Sequence, residues 1–207
     1  MEFIEKLKNK YKENEPIFIF ELKDLFYPLK RARVYQMINK AIASGELVNF
    51  EYGVYYMPAQ TMLGVSMLNP YKVIQKKYLS DGENVYGFMS GITLLNNFGL
   101  TTQVPNVIEV MTNNESAITR NVVVGSQKLK LKKSRTEITK DNYRELMILE
   151  LFNIVNASLM SKENLQRLTD YMKQQNITMQ DLFKHASNVP ARAIKNLVKS
   201  EALNVII

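Results

Sequence analysis

The residues best placed to do chemistry lie in "LKRARVYQMINKAIASGELVNFEYGVYYMP", Leu29 to Pro58, where Lys30, Arg31 and Arg33 crowd the start of a helical pattern. At about 100° per residue, Val34, Met37, Ile38 and Ala41 share one face, and Ala32, Arg33, Gln36, Asn39 and Lys40 share the opposite one. The second set suits the reading of base edges, because Arg pairs bidentately with guanine and Gln or Asn with adenine. Tyr35 flanks that face, within reach of a phosphate. A helix N-terminus already carries partial positive charge, so each cation in its first turn costs about 0.3–1 kcal/mol at an exposed site. A phosphate seated there reverses the sign, since free N–H groups and cations then share one anion. The chemistry expected is polyanion recognition, not bond-making; the competing reading is an ordinary solvated helix face.

A second basic cluster, "SQKLKLKKSR", alternates Lys128, Lys130 and Lys132 with Leu129 and Leu131, and Lys133 and Arg135 follow. Lysines along a strand guard a sheet edge against pairing with another chain. The alternative is a second polyanion surface or a surface for a partner protein.

Enzymatic alternatives fare poorly. The 207 residues contain no cysteine, which excludes thiolate catalysis, disulfides and cysteine-ligated metals. His185 is the only histidine, so no histidine pair exists to hold zinc; a capping or packing role is expected for it. Phosphate-binding and dinucleotide-binding glycine motifs are absent. A metal-dependent nuclease needs clustered carboxylates, yet the strand Val107–Met111 offers only Glu109. No catalytic residue, metal or cofactor is expected.

The elements that must position these residues follow from periodicity and punctuation. Phe3, Ile4, Leu7 and Tyr11 predict a first helix that Pro16 stops, and "IFIF" a short extended run. Leu22, Leu25 and Phe26 predict a brief second helix before Pro28, and a third runs from about Lys30 to Ser44 with Gly45 beyond it. Glu51-Tyr52-Gly53 reads as a three-residue hairpin loop, its tip carrying Glu51 and Tyr52 where a cation would grip phosphate. Three helices and a β-ribbon describe a winged helix-turn-helix over residues 1–58. A linker is expected over 59–69, and a mixed α/β domain with C-terminal helices over 70–207, giving an α+β protein.

In that second domain "PYKVIQKKYL" predicts a helix and "VYGFM" a strand. "SGITLLNNFG" predicts a helix with Ser90 as N-cap and Gly99 as its stop. "VIEVM", "ITRNVVV" and "KLKLK" predict strands, and the pattern is helical from Asp141, with Pro190 opening the last helix. Leu197, Val198, Leu203, Val205, Ile206 and Ile207 make an apolar end that either tucks under the domain or docks on another chain. A formal charge of +7 favours polyanionic partners, although residues 1–60 hold 9 Lys/Arg against 8 Asp/Glu, so any DNA contact there depends on local placement. The start lacks a signal-peptide pattern and no apolar run reaches the roughly 18 residues of a span, so a cytoplasmic protein without membrane contact is expected.

The segment "GFMSGITLLNNFGLTTQVPNVIEVMTN", Gly87 to Asn113, resembles the signature of AbiEi-family antitoxins, the regulator halves of type IV abortive-infection toxin–antitoxin pairs. Ser90-Gly91, then Gly99-Leu100-Thr101-Thr102-Gln103-Val104-Pro105, then Val107–Met111 stand in the family's order, after an N-terminal "GVYYMP", Gly53 to Pro58. The resemblance covers roughly residues 1 to 155. It implies a winged helix that binds inverted repeats in the protein's own promoter and represses the operon. It also implies a C-terminal domain that neutralises a toxin of nucleotidyltransferase type. The helix face, its cationic start and the turn tip give the expected DNA-contacting set: Lys30, Arg31, Arg33, Tyr35, Gln36, Asn39, Lys40 and Tyr52. The bland reading of the signature is a hydrogen-bonded turn in which Thr101, Thr102 and Gln103 satisfy loop backbone groups. The alternative function is a winged-helix regulator or protein-interaction module with no antitoxin role.

Overall fold

The computed structural model describes residues 2–62, 64–155 and 160–200. The chain is α+β, 46% helix and 19% strand, and ends in a run of helices. It divides into two compact units: residues 1–76 with 124–126, and residues 77–123 with 127–207.

In the first unit, α1 (Glu2–Lys10) buries Phe3, Ile4 and Leu7, with acids in its first turn and lysines in its last, both favourable to the helix dipole. β1 (Ile17–Phe18) passes directly into α2 (Ile19–Leu25), so only half of "IFIF" is extended. The switch is local: the Glu21 carboxylate turns back to accept from the Phe18 N–H at 2.8 Å, satisfying a donor at the helix start. α3 (Arg31–Ala43) buries Val34, Ile38 and Ala41, and Gly45 follows in the left-handed conformation at φ 74°. These helices close over Leu7, Ile17, Leu22, Phe26, Leu47 and Tyr55.

β2 (Val48–Glu51) and β3 (Val54–Tyr56) pair antiparallel, and β3 lies between β1 and β2. The loop is two residues, Tyr52-Gly53, not three. Glu51 is absorbed into β2 by a bulge after Asn49, and Gly53 takes the positive φ.

The expected linker carries structure. β4 (Gln60–Thr61) and β5 (Gly64–Val65) form a small hairpin, and Ser66 Oγ donates to Asn14 Oδ1 at 2.7 Å while accepting from Ala59 N–H at 2.9 Å. α4 (Pro70–Ile74) then begins on an Asn69 cap. It continues as a π-helical turn over Gln75–Leu79. Lys72 Nζ donates to the Asn14 carbonyl, and Lys76 Nζ to the Pro16 carbonyl and the Glu21 carboxylate. Those bonds hold residues 70–76 to the first unit, so the contact boundary falls after Lys76, later than composition suggested.

The second unit is built on a four-stranded sheet in the order β6-β7-β9-β8: β6 (Gly87–Ser90), β7 (Ile108–Thr112), β8 (Thr119–Val124) and β9 (Gln127–Lys133). β6 and β7 are antiparallel, whereas β7 and β9 are parallel, with Ile108 opposite Leu129 and Met111 opposite Lys132. The lysine strand β9 is therefore interior, which overturns the edge-guard reading. Its partners on both sides already occupy the backbone groups that lysines would shield.

Strand alternation puts Phe88, Ser90, Glu109, Met111, Lys130 and Lys132 on one face. That face meets α6 (Tyr143–Ile154), whose Leu146 packs with Phe88. α5 (Gly91–Asn97) lies beside α6, which also packs against α7 (Lys162–Gln174), α8 (Met179–Lys184) and α9 (Ala191–Lys199) around Leu94, Leu149, Phe152, Leu168, Met172 and Leu197. Asn196 on α9 donates to the Phe152 and Val155 carbonyls at 2.8 and 2.9 Å, satisfying acceptors left open at the end of α6. Pro190 is the N-cap of α9, one position before the first-turn site expected. Leu197 is buried and Val198 half exposed; residues 203–207 of the apolar end lie outside the described residues.

Among the described residues no helix is long and apolar enough to cross a membrane, and no cluster of three or more His, Cys, Asp or Glu could hold a metal.

Candidate functional site

The helical spacing of α3 dictates its two faces, and the core fixes which of them points out. Val34, Ile38 and Ala41 are buried and Met37 is partly buried, leaving Ala32, Arg33, Gln36, Asn39 and Lys40 exposed together. Lys30 is the N-cap, without a side-chain cap bond, and the first turn contains no acid. Arg31 donates to the Tyr35 hydroxyl at 3.5 Å and stacks over its ring at 5.6 Å; Lys23 lies 5.9 Å from the same ring. The Arg31 hydrogen bond holds the Tyr35 phenol below its ordinary value. Arg33 donates to the Gln36 side-chain oxygen at 3.3 Å. None of Lys30, Arg31, Arg33 or Lys40 has a salt bridge among the described residues. Tyr52 is 94% exposed at the β2–β3 turn, close enough to Arg31 and Tyr55 to act on both electrostatically.

Such a face offers fork-shaped and amide hydrogen-bonding groups on a rigid helix, with positive charge concentrated at its N-terminal end. It can bind an anion and discriminate planar polar edges beside it. No group on it is arranged to make or break a covalent bond.

The second basic cluster has a different environment. Lys128, Lys133 and Arg135 are exposed and Lys130 is partly buried, whereas Lys132 is turned under α6. Lys132 Nζ meets Glu109 at 2.5 Å and lies 3.8 Å from Glu150. Glu150, 7% exposed, also accepts from Ser90 Oγ at 2.6 Å and from Asn153 Nδ2 at 3.0 Å. The five cations thus do not form one outward surface. The most central of them is spent on two internal acids.

This cluster gives the Ser90-Gly91 pair a physical role. Ser90 stands at the N-cap position of α5, but its hydroxyl makes no cap bond and goes to Glu150 instead. Gly91 has φ 59°, and a Cβ there would meet Glu109 Cδ at 2.9 Å. A larger residue would push the carboxylate away from Lys132. In the following turn Thr101 Oγ1 accepts the Gln103 N–H at 3.2 Å, and Asn96 Nδ2 donates to the Gln103 carbonyl at 2.7 Å. Threonine therefore orders the backbone as expected; the glutamine contributes its carbonyl instead of its side chain.

A family model matches residues 5–180, most of the chain. The chain belongs to DUF6088, a family of unknown function. No curated protein matches it.

Sequence reasoning missed Glu150 and Glu115. Glu150 is the one charged residue in the apolar run Leu146–Phe152, and that setting, not its helical phase, is the signal that it is buried. Glu115, 4% exposed, accepts from the Ser116 and Ala117 N–H groups and from Arg120 at 2.7 Å. Nothing in its neighbourhood in sequence singles it out. His185 is a half-buried residue between α8 and the turn Ala186–Asn188, and among the described residues it makes only backbone bonds there.

Proposed function

We propose that the first unit is a winged helix-turn-helix that binds double-stranded DNA, with α3 in the major groove. In this reading β2–β3 is the wing. The protein is an autoregulating antitoxin: it represses its own operon, and its second unit neutralises a nucleotidyltransferase-type toxin. Its role is binding, not catalysis. One observation carries the DNA half: the outward face of α3 concentrates cations at a helix N-terminus with no acid in the first turn and no ion pair among the described residues. Phosphate is the partner that makes that arrangement favourable. Readers of this class use the N-terminal part of the second helix of the motif for base contacts. The antitoxin half draws on the resemblance of Gly87–Asn113 to AbiEi-family antitoxins.

The test is a gel shift with the protein's own promoter, titrated with salt. Binding should weaken steeply between roughly 50 and 200 mM salt, as counterion release requires. Absence of a shifted band at low salt sinks the DNA reading. For the antitoxin half, the full chain is co-expressed with the neighbouring toxin gene product. Arg31→Ala with Arg33→Ala should abolish promoter repression yet leave rescue intact; loss of rescue in wild type refutes it.

A second reading, a protein-interaction module without DNA affinity, draws on Phe20 (59% exposed), Tyr27 (84%) and Tyr52, apolar rings open to solvent in the same unit. Rescue without any gel shift would favour it.

A further inference from the structure

The second unit contains a cavity of about 210 Å³ between the α6-facing side of the sheet and the approach to α9. Phe88, Met111, Leu146 and Leu149 make its apolar wall, and Lys132, Arg135, Thr136 and Glu150 supply polar groups. We propose that this cavity binds a small carboxylic acid with an apolar body, its carboxylate held by Arg135 and the Thr136 hydroxyl.

Three observations converge. Thr136 Oγ1 is buried in the wall and has no hydrogen-bond partner in the protein. A buried hydroxyl left alone is destabilising, so a site that retains one gains by meeting an acceptor. Charge supplies the second. Lys132, Lys133 and Arg135 border the cavity against Glu150, but Lys132 is already committed to Glu109 and Glu150. Glu150 in turn is satisfied by Ser90 and Asn153. Arg135 and Lys133 have no ion pair or hydrogen bond from their side chains among the described residues, which leaves net positive charge at the mouth and no uncommitted carboxylate in the lining for a cationic guest. Size is the third. A dry cavity of about 150 Å³ admits benzene, so this one has room for a ring or branched chain bearing one carboxylate.

The experiment uses the full-length protein and the probes phenylacetate, 2-phenylethanol and 2-phenylethylamine, followed by ligand-detected NMR and by protein chemical shifts. Phenylacetate should bind with shifts confined to the cavity, about tenfold more tightly than the alcohol, the difference expected for a hydrogen bond to a charged group. The amine should not bind. Arg135→Ala, an exposed change that leaves the core intact, should erase the preference of acid over alcohol. Thr136→Val should weaken phenylacetate while leaving the alcohol less affected. Val189→Phe should fill the space and abolish binding of all three probes, with its folding checked by its NMR spectrum and melting point, and the Arg135→Ala comparison decides the proposal if that protein does not fold. The proposal is overturned by equal affinity for acid and alcohol, by an Arg135→Ala protein that keeps its preference, or by no probe binding at millimolar concentration, in which case Thr136 is satisfied by water alone.

Discussion

α3 and β9 are each rich in cations, yet their charges end in opposite situations. On α3, Arg31, Arg33 and Lys40 face outward and pair with no acid among the described residues; on β9, Lys132 lies under α6 between Glu109 and Glu150. The cause is geometric. A helix packed by one stripe keeps all its polar positions on the solvent side. A strand alternates faces, so an interior strand in a sheet covered by a helix must send half its side chains inward. A run of cations therefore means an outward, unpaired face in one element and an internal ion cluster in the other. Counting charges along the chain cannot separate the two.

Substitutions that treat the two regions alike should break that contrast if it is wrong. The largest effect is expected inside. Lys132→Ala strands Glu109 and Glu150, and should destabilise the protein by about 3 kcal/mol, the low end for a broken buried pair because roughly a quarter of the lysine remains solvated. The midpoint of urea unfolding measures it. A loss under about 0.5 kcal/mol, the level of an ordinary surface change, would show that the cluster is not internal in effect.

Next comes the outward face. Arg33→Ala and Gln36→Ala should each weaken promoter binding by about 1–3 kcal/mol while leaving unfolding unchanged, and Lys30→Ala should weaken all sequences alike and flatten the salt slope. Unaltered promoter affinity in Arg33→Ala would remove that residue from the interface.

A smaller effect, about 1–2 kcal/mol, is expected from Glu115→Gln at neutral pH, through lost charge-assisted bonds. Burial pushes the Glu115 carboxyl up, but the Ala117 N–H, Arg120 and the Ser116 N–H outweigh it and hold the group below its ordinary value. A carboxyl depressed on folding contributes fully above its unfolded value and loses that contribution as pH falls through the folded one. Stability should therefore decline below about pH 4, and the decline should be shallower in the glutamine variant. Identical pH profiles would refute the assignment.

The smallest change has the opposite sign. Arg33→Glu puts an acid in the first turn of α3 and should raise stability by about 0.3–1 kcal/mol while abolishing promoter binding. A drop in stability would mean that the cation is held by something other than solvent.

Much of the local structure was legible. Val34, Ile38 and Ala41 identified the buried side of α3, and Gly45 and Gly53 marked a helix end and a turn, because periodicity and left-handed backbone are written into neighbouring residues. The structure within residues 59–69 is not legible locally, because Ser66 has loop composition and its partner Asn14 lies 52 positions earlier. Ser90 looked like a cap because caps are local, whereas its actual acceptor is 60 residues away.

The sequence by itself determined the helices, the glycines that end α3 and turn the β2–β3 ribbon, and the outward composition of α3, since each depends on contacts within a few residues of the same element. Only tertiary structure decided that β9 is interior, that Lys132 is neutralised, that Glu150 belongs with Ser90, and that a cavity opens beside Thr136. Strand order and side-chain pairing across long separations depend on which surfaces meet, and no short window of sequence contains both partners.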